Sequence, residues 1–356
     1  MPVIYFRTDG NENIATGHIM RCLSIARACT AMHVESRFLV SDEQSMAILK
    51  ERFAFTDEFP IRCLHSNYKN MEAELPALQS VLKDASLLFL DSYFITESYL
   101  AALHKVCRIA YLDDMLAFDY PVDLIINYDI TEEPSCYHKA AHKLLGASYT
   151  PLREQFQNVS YTVRPEVQNI LISTGGTDTE NLAGKLLKTI FAQKSDTDVT
   201  NSVVSLTEYH YHIITSRLNP HLEELEQLAS FHPTIHIHEN VQNMAALMCQ
   251  CDLAVSAGGT TLYELCAVGV PTISFSMADN QLSAVETFRT KEIITYAGDV
   301  RSSSKNIIDT ISTFLIENIS YEKRKKSSHT MRAFLDGRGA ERIAAALIHL
   351  FFFQHQ

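Results

Sequence analysis

Three short stretches of this chain set acid–base side chains, hydroxyls and glycines at the point where an apolar run gives way to a helical pattern. The first is RTDGNENIATGHIMR (residues 7–21), with Asp9, Gly17, His18 and Arg21. The second is STGGTD (173–178), with Gly175, Gly176, Thr177 and Asp178. The third is SAGGTTLYE (256–264), with Gly258, Gly259, Thr260, Thr261 and Glu264. Glycines let a bound group come close to the backbone, and the first turn of a helix offers unpaired N–H groups to an anion. The second and third stretches therefore suit phosphate. Glu264 stands one turn into its helix. Its carboxylate only accepts hydrogen bonds and could take both hydroxyls of a ribose diol; the bland alternative is a solvated helix position. Asp279-Asn280-Gln281 forms one more strand-to-helix corner. The first stretch differs from the others in placing a histidine, not a glycine, where loop becomes helix.

The surrounding elements follow from periodicity. In the first half, apolar runs at 3–9, 36–41, 60–65, 87–93, 108–114 and 124–129 read as strands. Helical patterns separate them at 18–30, 45–53, 71–83 and from Thr96, as the cap, to Val106. Near-continuous apolar strands alternating with helices imply a parallel sheet covered on both faces. Residues 146–168 break the rhythm and read as a linker. The pattern then restarts with NILISTGG (169–176) and runs to EIITYAG (292–298), followed by a tail of two or three helices. The expected fold is α/β, two Rossmann-like doubly wound domains facing across a cleft, at 1–150 and 165–300. Residues 301–356 are expected to pack back on the first domain. Ligands of such sheets bind at the carboxyl ends of the strands.

Composition narrows the class. Of 356 residues, 46% are hydrophobic and 20% charged, ordinary values for a globular protein. No apolar run approaches the ~20 residues of a membrane helix. Residues 1–6 read as a strand and not as a signal peptide, so a cytoplasmic protein is expected. The net charge of -12 argues against sequence-independent nucleic-acid binding, which rests on excess Lys and Arg. The eight cysteines (Cys22, Cys29, Cys63, Cys107, Cys136, Cys249, Cys251 and Cys266) include no CxxC pair and read as reduced thiols. His210/His212 and His236/His238 each share a strand face, with no further ligands at zinc-site spacing. YEKRKK (321–326) and IAAALIHLFFF (343–353) either form a membrane-surface helix or close the first domain; the second reading is preferred.

The order of glycine loop, helix with an internal Glu, Gly269-Val270-Pro271, strand and Asp279-Asn280-Gln281 resembles the nucleotide-sugar half of GT-B enzymes related to MurG. Together with GHIMRCLSIA, LFLDSY, STGGTD and DGRGAERIAAAL (336–347), it resembles the PseG family of UDP-2,4-diacetamido-2,4,6-trideoxy-β-L-altropyranose hydrolases. It also resembles their SpsG-type relatives of spore coat polysaccharide biosynthesis. The resemblance runs from residue 3 to about 347 and leaves 300–335 unmatched.

The resemblance implies roles. His18 would be the catalytic base, with Tyr93 close to it. Asp9 would bind sugar or orient the histidine. Gly258, Gly259, Thr260 and Thr261 would hold the diphosphate, Glu264 the ribose, and Asn280 and Gln281 would border sugar or phosphates. Water would attack the anomeric carbon opposite UDP with inversion, and helix amides would take up the developing diphosphate charge. A helix N-terminus disfavours an imidazolium, which suits a residue that must accept a proton. Otherwise His18 is merely a first-turn residue. Arg21, one turn on, either contacts substrate or makes an exposed salt bridge. Asp113 and Asp114 either line the sugar pocket or cap their loop. No metal or cofactor is expected; the partner is a small-molecule UDP-sugar, the state a monomer or weak homo-oligomer. An inverting glycosyltransferase and a non-catalytic nucleotide-sugar-binding protein are the competing readings.

Overall fold

The structure, a computed structural model, describes residues 2–11, 14, 16–52, 57–129, 137–192, 206–318 and 320–352. The chain forms two compact units, one of Met1–Glu154 with Gly337–Gln356 and one of Gln155–Asp336.

The first unit begins with strand β1 (Val3–Thr8) and helix α1 (Gly17–Ala31). It continues through β2 (Glu35–Val40), α2 (Glu43–Arg52), β3 (Ile61–Cys63), α3 (Leu75–Val81), β4 (Leu87–Asp91) and α4 (Glu97–Leu103). Strands β5 (Ile109–Leu112), β6 (Leu124–Asn127) and β7 (His142–Leu145) follow. All seven strands pair in parallel in the order β3-β2-β1-β4-β5-β6-β7. Alternate residues of one strand serve opposite cores, because side chains alternate faces. Ile4 and Phe6 join Phe38, Phe89, Cys22 and Leu23 on one side. Val3 and Tyr5 join Leu88, Leu90, Tyr99 and Leu103 on the other. Thr96 caps α4 as expected, its Oγ1 accepting from Tyr99 N at 3.2 Å. Strand β7 was not expected: HKLL is short, and its first half is exposed at the sheet edge, so no apolar run announces it.

The second unit repeats the plan. Its elements are β8 (Asn169–Ser173), α5 (Leu182–Ala192), β9 (His210–Thr215), α6 (Leu222–Phe231), β10 (Ile235–Glu239) and α7 (Met244–Gln250). Then come β11 (Leu253–Ala257), α8 (Thr260–Val268), β12 (Thr272–Ser276), α9 (Asp279–Thr290) and β13 (Thr295–Asp299). The parallel order β10-β9-β8-β11-β12-β13 matches that of the first six strands of the other sheet. In each sheet the order reverses beside the first strand, at β1/β4 and at β8/β11. Such switch points leave a crevice at the carboxyl ends of the strands.

The tail contains α10 (Ser304–Glu317), α11 (Tyr321–Phe334) and α12 (Gly339–Phe352). Only α12 returns to the first unit, which corrects the expectation for 301–356. Ile307, Ile311 and Leu315 of α10 complete the core of the second unit. In α11 the fully buried Arg324 donates to the carbonyls of Arg164 and Pro165, each at 2.8 Å. Gly269 ends α8 at φ 90°, the left-handed region open to glycine, and a Cβ there would lie 2.6 Å from Arg332 of α11. Helix α12 lies on α1 and buries Ile343, Ala344, Leu347 and Ile348. A Cβ on Gly339 would sit 2.1 Å from the Thr150 carbonyl oxygen. The apolar face of α12 is thus covered by its own unit, as the closing-helix reading requires. Among the described residues no helix is long and apolar enough to cross a membrane.

Candidate active site

In the first unit, residues at the carboxyl ends of three strands converge on the start of α1. His18 opens that helix, Asp91 ends β4, Asp114 follows β5 and Tyr128 follows β6. The Nδ1 of His18 lies 2.6 Å from Asp91 Oδ1. Arg21, one turn further along α1, donates Nε to Asp91 Oδ2 at 2.6 Å and a second nitrogen to Oδ1 at 2.5 Å, a bidentate fork. Its remaining donor reaches Asp114 Oδ2 and the Tyr128 hydroxyl, both at 2.9 Å. The Tyr93 ring meets that of His18 edge-on at 4.4 Å, and its hydroxyl donates to Asp114 at 3.3 Å. His18 is only 4% exposed, and Tyr93 is part of its cover.

Electrostatics fixes the protonation pattern. Burial alone would raise the Asp91 carboxyl; the Arg21 guanidinium, and after it His18, outweigh burial and hold it well below the usual carboxylate range. An ionised Asp91 only accepts, so His18 Nδ1 donates to it, and in the neutral imidazole Nε2 is then the acceptor. Arg21 sits 3.0 Å from Nδ1 because both donors share one carboxylate oxygen. Burial and then Asp114 push the Tyr93 phenol up, so it stays protonated. The N-cap residue of α1, Thr16, makes no side-chain cap hydrogen bond, and a Cβ on Gly17 would meet nothing within 4 Å.

Several expectations need correction. The carboxylate that orients the histidine is Asp91, not Asp9. Asp9 belongs to a buried brace: its carboxylate accepts from Arg7 at 2.5 Å and from the Ser41 amide at 2.7 Å. Arg7 also forks onto Glu74 at 2.8 and 2.7 Å, and Glu74 accepts from Tyr99 and Ser66. Asp113 is fully buried and caps its loop, accepting from the amides of Met115 and Leu116 and from the hydroxyls of Tyr120 and Tyr137. Asp114 is the one that faces Arg21. Arg21 makes no exposed salt bridge, since its side chain is 11% exposed. The signal for Asp91 was present in LFLDSY, as the acid closing a fully buried strand beside β1. Residues 12, 13 and 15 of the first stretch lie outside the described residues.

In the second unit the two glycine loops have opposite fates. After β8, Asp178 occupies the start of α5 itself: its carboxylate accepts from the amides of Leu182 and Ala183 at 2.8 and 3.1 Å. Asp178 is fully buried. The amides expected for phosphate are therefore already taken, and Asp178 is a helix cap and not a ligand. Gly175, Gly176 and Thr177 are exposed, with the Gly176 carbonyl accepting from Ser216 at 2.6 Å. After β11, by contrast, the N-cap of α8 is Gly259, which has no side chain to make a cap hydrogen bond. A Cβ on Gly259 would meet nothing within 4 Å, whereas one on Gly258 would lie 2.1 Å from Val285 of α9. Gly258 thus permits close packing, and Gly259 leaves the amides of Thr260 and Thr261 approachable. Glu264 is 7% exposed, which overturns the solvated alternative. Gln281 Oε1 accepts from the Met277 amide at 2.9 Å, closing the α9 corner. The Asn280 side chain lies outside what the structure describes.

The histidine pairs face each other across β9 and β10. His210 Nδ1 lies 2.9 Å from His236 Nε2, and His212 Nδ1 3.0 Å from His238 Nε2, with His212 Nε2 also 3.0 Å from Asn169. Each facing pair shares a proton. Seven of the cysteines are free thiols, and Cys136 lies outside the described residues.

Residues 169–336 match the glycosyltransferase family 28 C-terminal domain, almost the whole second unit. The chain is 27% identical over 210 residues to the spore coat polysaccharide biosynthesis protein SpsG of Bacillus subtilis, covering 58% of each. It is 24% identical over 269 residues to the UDP-2,4-diacetamido-2,4,6-trideoxy-β-L-altropyranose hydrolase of Campylobacter jejuni, covering 73% of this chain and 86% of that one. The match thus spans little more than half of SpsG. Acinetobacter baumannii MurG superposes with a TM-score of 0.69 at 12% identity, over 98% of this chain and 100% of that one. Its two parallel switch-point sheets and its likeness to MurG give the chain a GT-B-type α/β fold, its second unit matches the glycosyltransferase family 28 C-terminal domain, and its sequence is similar to SpsG and to the Campylobacter hydrolase.

Proposed function

We propose that this protein hydrolyses a UDP-linked sugar at the anomeric C–O bond, releasing UDP and free sugar. The observation that carries the reading is the 2.6 Å contact between His18 Nδ1 and an ionised Asp91, which leaves Nε2 as a base. Water would attack C1 while the C1–O bond to UDP breaks and its electron pair leaves with the diphosphate. Nε2 takes the proton of the water, and Asp91 stabilises the imidazolium that forms. UDP is already a good leaving group, so no second carboxylic acid is required, unlike in glycoside hydrolysis.

The second unit supports the nucleotide part of this reading. The start of α8, at Thr260 and Thr261 behind the glycine N-cap Gly259, would receive the diphosphate, and Glu264 the ribose hydroxyls. Tyr93 would shield His18 and contact the sugar, and Asn280 and Gln281 would border it. The name of the Campylobacter relative suggests a diacetamido-trideoxyhexose as the sugar, in surface polysaccharide or nonulosonic acid biosynthesis.

A second reading is transfer to an acceptor hydroxyl, favoured by the family 28 glycosyltransferase domain. Water and an alcohol need the same base. The test is incubation with a panel of UDP-linked diacetamido-trideoxyhexoses and no acceptor, with products followed by mass spectrometry. Equimolar UDP and free sugar are expected. Release only after an acceptor is added would establish transfer, and UDP binding without turnover on any sugar would leave a binding protein.

A further inference from the structure

Away from the His18 cluster, at the far side of the same sheet, three different metal-binding side chains converge. Glu43 opens α2, Cys63 ends β3, and His65 follows two residues on. Their ligand atoms all lie within 4.8 Å of one another. Cys63 Sγ is 3.5 Å from His65 Nδ1, and that nitrogen is 3.8 Å from Glu43 Oε1. Tetrahedral zinc bonds, about 2.3 Å to sulfur and about 2.0–2.1 Å to nitrogen and oxygen, set S···N at roughly 3.6 Å and N···O at roughly 3.3 Å. The side chains therefore stand near the spacing a zinc ion imposes.

From this geometry we propose that Cys63, His65 and Glu43 bind a zinc ion, with water in the fourth position. The donor set selects the metal: thiolate and imidazole suit zinc, whereas magnesium and calcium take oxygen ligands. The neighbouring acid is not available, because Asp42 accepts from the Ser45 amide at 2.7 Å and from Ser41 Oγ at 3.2 Å. His65 and Glu43 are 75% and 64% exposed at their side chains, so the ion has an entry path and room for water. Binding displaces the Cys63 thiol proton to solvent and replaces its contact with the Ser41 carbonyl by a Zn–S bond. Because binding releases the thiol proton, it weakens as pH falls. The four stacked histidines of β9 and β10 compete poorly, because each facing pair of nitrogens is occupied by a shared proton.

The test uses the full chain freed of metal and titrated with Co²⁺, then Zn²⁺. A thiolate-to-cobalt charge-transfer band that saturates at one equivalent and is displaced by zinc is expected. Cys63→Ser should abolish the band. Changing outer-shell partners of a metal site costs ~10–100-fold in affinity, so Glu43→Gln and His65→Asn should each weaken binding at least ~10-fold. Zinc should raise the Tm of the wild type and not of Cys63→Ser. His212→Asn should leave the band intact. No band in the wild type, or one that survives Cys63→Ser, overturns the proposal.

Discussion

The Nδ1 of His18 and the Oδ1 of Asp91 are 2.6 Å apart, and both residues are nearly or fully buried at the junction of β1, α1 and β4. The pairing orients the imidazole of a histidine at a helix start and makes Nδ1 the donor, which suits the role proposed for Nε2.

His18→Asn should lower turnover at least ~100-fold, in line with the ~10²–10⁴-fold contribution of general-base help, while UDP affinity stays within about twofold. Asp91→Asn should lose as much, since an amide no longer fixes the tautomer. Single-turnover UDP release and calorimetric UDP titration read the two quantities separately. Near-normal turnover in His18→Asn would remove the base from the mechanism.

Asp9 and Glu74 should behave differently from Asp91. Removing one partner of a buried ion pair leaves an uncompensated charge and costs ~3–5 kcal/mol. Glu74→Ala is therefore expected to lower the unfolding free energy by that much, read as a lower urea midpoint at unchanged m, and Asp9→Asn to lower it as well. The folded fraction of Asp9→Asn should keep its turnover; a specific loss of turnover without loss of stability would return Asp9 to the site.

Gly259→Asp tests the diphosphate seat. The residue is extended, at φ -96° and ψ -162°, and a side chain there meets open space. An aspartate would cap α8 as Asp178 caps α5, which changes stability by no more than a few tenths of a kcal/mol, in the favourable direction. It would also set a negative charge where the diphosphate is held. UDP affinity should fall at least ~10-fold with Tm unchanged or raised. Unaltered affinity would place the diphosphate elsewhere.

The histidine pairs of β9 and β10 predict acid sensitivity. Burial first, and then His238, His236 and His210, push His212 down to about 4, and His236 and His238 are lowered as well. The unfolded chain takes up a proton near ~6.5, before the folded chain does. The contribution is therefore fully present above pH ~6.5 and is lost as pH falls towards 4. Urea midpoints at pH 7.5, 5.5 and 4.5 should decline, and His212→Asn should flatten that decline. An identical slope in the variant would assign it to other groups.

Turnover should persist in excess EDTA, because the proposed chemistry relies on helix amides and His18 and not on a metal. A strict Mg²⁺ requirement would contradict this. Loss of the Cys63-centred zinc would not, since none of its ligands belongs to the His18 cluster.

The α/β class, the restart after residue 168 and most elements were legible by themselves, because buried parallel strands and amphipathic helices write their periods directly into the order of residues. GHI and LFLDSY also marked where buried polar groups meet, at His18 and Asp91. Which acid serves which purpose was decided only by tertiary structure. Asp9 and Asp91 each end or follow a buried strand, as do Asp113 and Asp114, and no local pattern separates them. Arg7 claims Asp9, Arg21 claims Asp91 and Asp114, and a pair of tyrosines claims Asp113. The two glycine loops read alike in sequence, yet Asp178 folds back onto its own helix and Gly259 cannot. A carboxylate acts through the donors that surround it, and those donors come from strands and helices distant along the chain.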